Sequence, residues 1–278
     1  MKNKLIILSI LFAFIWSGCE KVVDVKLDTE QPRLVVDASL TWLKGTNGKN
    51  QTIKLTTTTG YYNQEIPKVS NATVYITNSS NMRFDFLEKP NTGGHSGKYS
   101  CSNFIPVIGE TYTLTIIYKG ETYKAQEKLS AVNSIENVEQ RADLGLNRDE
   151  YGIKVNFQDA ASQNNFYLFT YSTSYTAFPS IDVFDDQLLQ GNKAFGVYSL
   201  DKLKKDDTIE ITLRETSQRH FNYMKKLIST ANGGSGGPFQ PSPASTIRGN
   251  LVNQTNESNY CLGYFSISET DKITYTIK

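Results

Sequence analysis

Short runs in which apolar and polar residues alternate, each closed off by turn formers, are the feature that most limits what this chain can become. Arg33-Leu34-Val35-Val36-Asp37-Ala38-Ser39-Leu40, Thr52-Ile53-Lys54-Leu55-Thr56, Ala72-Thr73-Val74-Tyr75-Ile76-Thr77 and Arg83-Phe84-Asp85-Phe86 all read this way. A period of two places successive side chains on opposite faces of a sheet, so each run predicts a strand with one buried face. The clearest hairpin runs from Tyr112 to Tyr118, turns through Lys119-Gly120 and returns from Glu121 to Ala125. Glycine there supplies the positive φ that a tight turn needs. Roughly seven short strands in about 100 residues is the requirement of an immunoglobulin-like sandwich, and residues 31–130 are assigned to one.

The stretch Leu129-Ser130-Ala131-Val132-Asn133-Ser134 marks a boundary, and residues 131–278 read as a second β domain, sandwich-like or barrel-like. Its strands are expected at 135–138, 152–157, 165–171, 193–198 and 208–213, with two closing strands at 262–268 and 273–277. One helix interrupts them near 218–231, because Phe221, Met224, Leu227, Ile228 and Ala231 recur at helical spacing, with Ser217 placed to cap its start. The fold expected is mainly β, with a single amphipathic helix lying on a sheet. Gly233-Gly234-Ser235-Gly236-Gly237-Pro238-Phe239 then reads as a loop.

The amino terminus carries an address. Lys2 and Lys4 precede an apolar run from Leu5 to Trp16, and the small residues Ser17-Gly18 precede Cys19. That pattern is an export signal over residues 1–18 with lipid attachment expected on Cys19, and residues 19–30 then form a tether. The apolar run is roughly 12 residues, short of the roughly 20 that a membrane-spanning helix needs. Loss of residues 1–18 takes the basic side chains from 29 to 27, against 28 acidic ones. Such a balance argues against nucleic acid as a partner. Cys101 and Cys261 would then remain as thiols, either paired or separately buried.

Chemistry-bearing motifs are scarce. His95 and His220 are the only histidines, and no zinc spacing is present. Asp182, Asp185 and Asp186 form the one dense acidic cluster near aromatic residues, without the spacing of an EF-hand. No metal or cofactor is expected on these grounds. Gly93-Gly94-His95-Ser96-Gly97-Lys98 has neither nucleophile-elbow nor phosphate-loop spacing and reads as a hairpin tip. His220, at the helix start, reads as structural. Acidic residues could hide a glycosidase pair anywhere, but nothing in the order of residues points to one. The chain is therefore expected not to be an enzyme.

The 16 tyrosines and 14 phenylalanines are more suggestive. Tyrosine offers a flat apolar face and a hydroxyl for gripping sugars, peptides or a partner surface. Tyr61-Tyr62, and Tyr171, Tyr175 and Phe178, fall in loop-like positions and are the candidate contacts, with Phe239 beside them.

Four segments, taken in order, resemble a known family: Cys19-Glu20-Lys21-Val22-Val23-Asp24-Val25 leading to Pro32-Arg33-Leu34-Val35-Val36-Asp37; Gly109-Glu110-Thr111-Tyr112-Thr113-Leu114; Gly237-Pro238-Phe239 through Arg248-Gly249-Asn250-Leu251; and Leu262-Gly263-Tyr264-Phe265-Ser266. The family is the lipoprotein group catalogued as domain of unknown function 4249. The resemblance implies an outer-membrane protein, lipid-anchored and facing the cell surface, that works beside a TonB-dependent receptor, the barrel that imports large nutrients. It supplies no catalytic residues. The expected role is an accessory binding subunit with a glycan or peptide ligand; surface adhesion, and then a lipid-anchored hydrolase, are the alternatives.

Overall fold

The computed structural model describes residues 30–60, 62–90, 94–144, 151–160, 164–187, 191–231 and 246–278. The segment read as an export signal, Cys19, the expected tether as far as residue 29, Tyr61 and Phe239 lie outside the described residues.

Seven strands make the first sandwich: β1 (Leu34–Leu43), β2 (Gln51–Thr57), β3 (Thr73–Asn78), β4 (Arg83–Glu88), β5 (Lys98–Cys101), β6 (Thr111–Tyr118) and β7 (Glu121–Lys128). β1, β2 and β5 form one layer; β4, β3, β6 and β7 form the other, and β4 also touches β5 at Leu87 and Glu88, joining the layers along that edge. Alternation does what the sequence requires: β1 buries Leu34, Val36, Ala38 and Leu40 and turns the residues between them outward. At the β6–β7 turn both Lys119 and Gly120 adopt positive φ, 50° and 79°, the backbone of a tight turn whose twist matches its strands.

The second sandwich repeats this order. β8 (Ile135–Arg141), β9 (Gly152–Gln158) and β12 (Lys193–Ser199) form a three-stranded sheet; β11 (Ser180–Asp185), β10 (Phe166–Ser172), β13 (Thr208–Thr216) and β15 (Leu262–Thr276) form the facing four. In both sandwiches the first, second and fifth strands oppose the fourth, third, sixth and seventh, the immunoglobulin-like arrangement. β10 departs from simple alternation because it is buried on both sides. Tyr167, Phe169 and Tyr171 face the sandwich core, while Phe166 packs 5.1 Å from Phe221 of helix α1 (Gln218–Ala231).

The helix starts where Ser217 was placed to cap it: the Ser217 hydroxyl accepts from the His220 N–H at 3.2 Å. Only part of the expected stripe is buried. His220, Phe221 and Met224 are covered, whereas Leu227 and Ala231 are exposed, since α1 lies on β10 and β11 through its first turns alone.

The two closing strands expected at 262–268 and 273–277 are one strand, β15. Its first part pairs in parallel with β1, from Val35 opposite Leu262 to Leu43 opposite Thr270; its second part pairs antiparallel with β13, to Thr276 opposite Thr208. The polar segment between them stays extended because its carboxylates hold the linker between the sandwiches. Glu269 accepts from the Val132 N–H at 3.1 Å and Asp271 from the Ile135 N–H at 2.7 Å. The core of the first sandwich therefore takes Leu251, Cys261, Phe265 and Ile267 from the far end of the chain, so residues 31–130 do not complete it by themselves. A short strand, β14 (Val252–Asn253), adds to the edge of β7. Cys101 and Cys261 are both buried and free.

Candidate functional site

Residues 248–266 meet β7, β1 and the start of α1 in a polar junction. Asn250, 2% exposed, donates to the Phe265 carbonyl at 2.7 Å and to Glu127 at 3.1 Å, and accepts from the Phe265 N–H at 2.9 Å. The Tyr264 hydroxyl donates to Glu127 at 2.7 Å. Burial raises the Glu127 carboxyl above its ordinary range, against the pull of its bonds to Tyr264, Ser217 and Asn250. The His220 ring lies 4.6 Å from that of Tyr264, and its Nδ1 is 2.5 Å from the Thr216 hydroxyl. Burial first, and the Arg214 charge second, push His220 down to about 3, so it is neutral at physiological pH. Two glycines permit the close approach. A Cβ on Gly263, whose φ is +89°, would fall 1.9 Å from the Val36 carbonyl oxygen, and one on Gly249 would fall 1.6 Å from the Gly263 oxygen. Histidine and glutamate here are held by their neighbours inside the fold, and their chemistry is that of a lock.

The surface offers two ends. At the first, Thr58 donates its backbone N–H to Arg33 at 2.9 Å, and from there the β2–β3 loop projects Tyr62, 74% exposed, and Ile66, 61% exposed. Beside it, the guanidinium groups of Arg33 and Arg248 lie 3.9 and 3.7 Å from the centroid of the Tyr260 ring, a cation–π pairing on one tyrosine. β1 begins at this end. The same loops bring together Ser70, Glu88 and His95: the Ser70 hydroxyl lies 2.5 Å from Glu88 and 2.6 Å from His95 Nδ1, and that same Nδ1 is 3.9 Å from Glu88. A nucleophilic triad needs serine and carboxylate on opposite nitrogens of the imidazole; here both address one nitrogen. Bonds from Ser70 and from the backbone of Asn71 and Gly97 outweigh desolvation and hold Glu88 below its usual value.

At the other end, where β15 finishes, the β10–β11 loop displays Phe178, 83% exposed, and Tyr175, whose hydroxyl donates to Asp207 at 2.8 Å. β15, with 15 residues, separates the two ends by roughly 50 Å at the rise of an extended strand. Tyr171 does not belong with these contacts. It is 1% exposed, stacked between Phe169 at 5.8 Å and Tyr198 at 4.7 Å, because position 171 still lies on β10 and points into the core. An open groove of about 360 Å³ over Lys49, Met82, Phe84 and Ile105 has no carboxylate in its described lining.

Among the described residues, no group of three or more His, Cys, Asp or Glu side chains is arranged to hold a metal ion, and no helix is long and apolar enough to cross a membrane.

Comparison with solved structures finds similarity to a segment of two fibronectin type-III domains from chicken tenascin, at 13% identity over 67% of this chain and 91% of that one, with a TM-score of 0.21. It also finds the FN1–FN3 domains of chicken CNTN1, at 12% identity over 65% and 59% with a TM-score of 0.25. A cytokine receptor complex matches at 9% identity over 66% and 92% with a TM-score of 0.28. At these scores the strand order itself, and not the superposition, carries the fold assignment. No curated protein matches. The family model "Domain of unknown function (DUF4249)" matches residues 20–274, nearly everything after the export-signal pattern, and the chain belongs to that family.

Proposed function

We propose that this protein is a cell-envelope lipoprotein, anchored to the outer membrane through a lipid on Cys19, that serves as a non-enzymatic binding subunit of a TonB-dependent uptake system. The observation that carries the reading is the separation of its two ends. The chain preceding residue 32 joins the body where β1 begins, and the exposed aromatic Phe178 stands at the opposite end, roughly 50 Å away along β15. Phe178, exposed at the end of the body away from the start of β1, is the contact that a partner barrel or a glycan or peptide cargo meets. Lys2, Lys4, the apolar run and Ser17-Gly18-Cys19 support the anchor. The anchored face is the cell surface in this reading.

Affinity purification of the tagged protein from detergent-solubilised outer membranes, beside a tagged unrelated lipoprotein, tests the reading. Recovery of a TonB-dependent barrel in comparable amount, reduced by Phe178→Ala, is the expected result. Recovery of the protein alone overturns the barrel partnership and favours surface adhesion. Release of the protein into the soluble fraction unchanged by Cys19→Ser would overturn the anchor.

A further inference from the structure

Three carboxyl groups from separate parts of the second sandwich meet at one end of it: Asp159 just after β9, Asp186 just after β11, and Glu215 near the end of β13. Asp159 is 3% exposed and Asp186 is fully buried. Glu215 stands opposite Tyr167 in the β10–β13 pairing, the Tyr167 hydroxyl bonds Asp159, and Asp186 bonds the backbone of Asn165, two residues before Tyr167.

The hydrogen bonding shows which oxygens are committed. Both Asp159 oxygens are taken, one by the Tyr167 hydroxyl at 2.6 Å and the other by the Gly191 N–H at 2.8 Å. Asp186 accepts from the Asn165 N–H at 2.9 Å through one oxygen, and its other oxygen has no partner among the described residues. Asn165 is 1% exposed, and neither the oxygen nor the nitrogen of its side chain has a hydrogen-bond partner among the described residues. That side chain faces the Glu215 carboxyl. A buried amide and a buried carboxylate oxygen left without partners are costly, and a bound ion or water is one way such groups are satisfied.

We propose that this is a calcium site in which Asp186, Glu215 and the side-chain oxygen of Asn165 are the protein ligands, with Asp159 as a fixed negative charge beside them. All the donors are hard oxygens, which suit calcium or magnesium and not zinc. Calcium accepts irregular geometry and completes its shell with water, whereas magnesium demands a near-octahedral site. Two carboxylates and an amide form a set distinct from the clusters of three or more His, Cys, Asp or Glu side chains that the described residues lack. Sequence order hid it: of the acidic run Asp182-Asp185-Asp186, only Asp186 turns inward, and its companions come from other strands.

The test uses the purified full-length mature protein, stripped with chelator and then given calcium or magnesium chloride, read by thermal melting and by titration calorimetry. Extracellular modules bind calcium with Kd of about 0.1–1 mM; calcium at about ten times Kd should raise the melting temperature by roughly 3–6 °C, and magnesium by less. Asn165→Ala and Glu215→Gln should each abolish the calcium-induced rise. Glu215→Gln also removes a buried charge from the metal-free protein and should melt no lower than the stripped parent, so loss of the response cannot be ascribed to misfolding. Asn165→Asp, which adds a carboxylate ligand, should tighten calcium binding. Absence of both heat and melting shift with calcium at about 10 mM, ten times the weakest of those affinities, would overturn the proposal, as would a calcium response unchanged in both Asn165→Ala and Glu215→Gln.

Discussion

Asn250→Ala is the substitution that the junction between the sandwiches makes most informative. Asn250 satisfies both the N–H and the carbonyl of Phe265, at 2.9 and 2.7 Å, and donates to Glu127 at 3.1 Å, all at 2% exposure. Alanine removes the three bonds and leaves the Phe265 N–H and carbonyl without that partner in a buried site, while the Glu127 oxygen keeps its bond from Tyr264. At about 1–3 kcal/mol for each group left unsatisfied, the two backbone groups alone put the loss near 4 kcal/mol. Urea unfolding of the unlipidated mature protein, made as Cys19→Ser, measures it. With a slope of about 3 kcal/mol/M, the midpoint should fall by roughly 1.3 M with the slope itself unchanged. Glu127→Gln is the control: it keeps an acceptor for Tyr264 and Asn250 while removing the charge whose burial raises the carboxyl, so it should change stability by less than about 1 kcal/mol. A loss under about 1 kcal/mol for Asn250→Ala would show that Phe265 finds other partners and that the junction is not the lock described above.

His220→Gln should flatten the acid limb of the stability curve: the native ring stays neutral to about pH 3 while the unfolded one takes up a proton from about 6.5, so the parent loses stability as pH falls below that value. Glu127, with its raised native value, acts with the opposite sign in both proteins and cancels in the difference curve measured by urea titration from pH 7 to 4.5. Gly263→Ala forces a Cβ to 1.9 Å from the Val36 carbonyl at positive φ; it should cost more than about 2 kcal/mol, and amide exchange should rise along β1. Phe221→Ala should cost about 3–5 kcal/mol by thermal melting, since it empties the contact between α1 and Phe166. Phe178→Ala, at 83% exposure, should leave the melting temperature within a degree or so of the parent while reducing recovery of the partner.

What the sequence shows and hides follows from the range of each interaction. Strands such as β1, β3, β4 and β7 are legible because burial of one face is written at every second position, and the β6–β7 turn and the Ser217 cap because a turn or a cap is decided within three or four residues. Tyr171 defeats that reading: an aromatic next to Ser172-Thr173-Ser174 looks like a loop residue, yet β10 carries one more core-facing position before the chain turns. Leu227 and Ala231 fail for the converse reason, since helical spacing shows which side of α1 is apolar but not how far the sheet beneath it extends.

The pairing of β1 with β15 lies beyond any local signal, because its partners, such as Val36 and Gly263, stand more than two hundred positions apart. Its trace in sequence is indirect. The segments 248–251 and 262–266, which carry much of the family resemblance, meet at this pairing, where Gly249 and Gly263 are required by backbone contact and Asn250 by the backbone of Phe265. In this chain those segments serve to join the two sandwiches. The surfaces at which a partner would be chosen, around Tyr62 and Phe178, are exposed and free of that constraint. The junction residues of this chain are fixed by backbone contact while the exposed loops are not, and this is why the fold can be read from the sequence further than the ligand can.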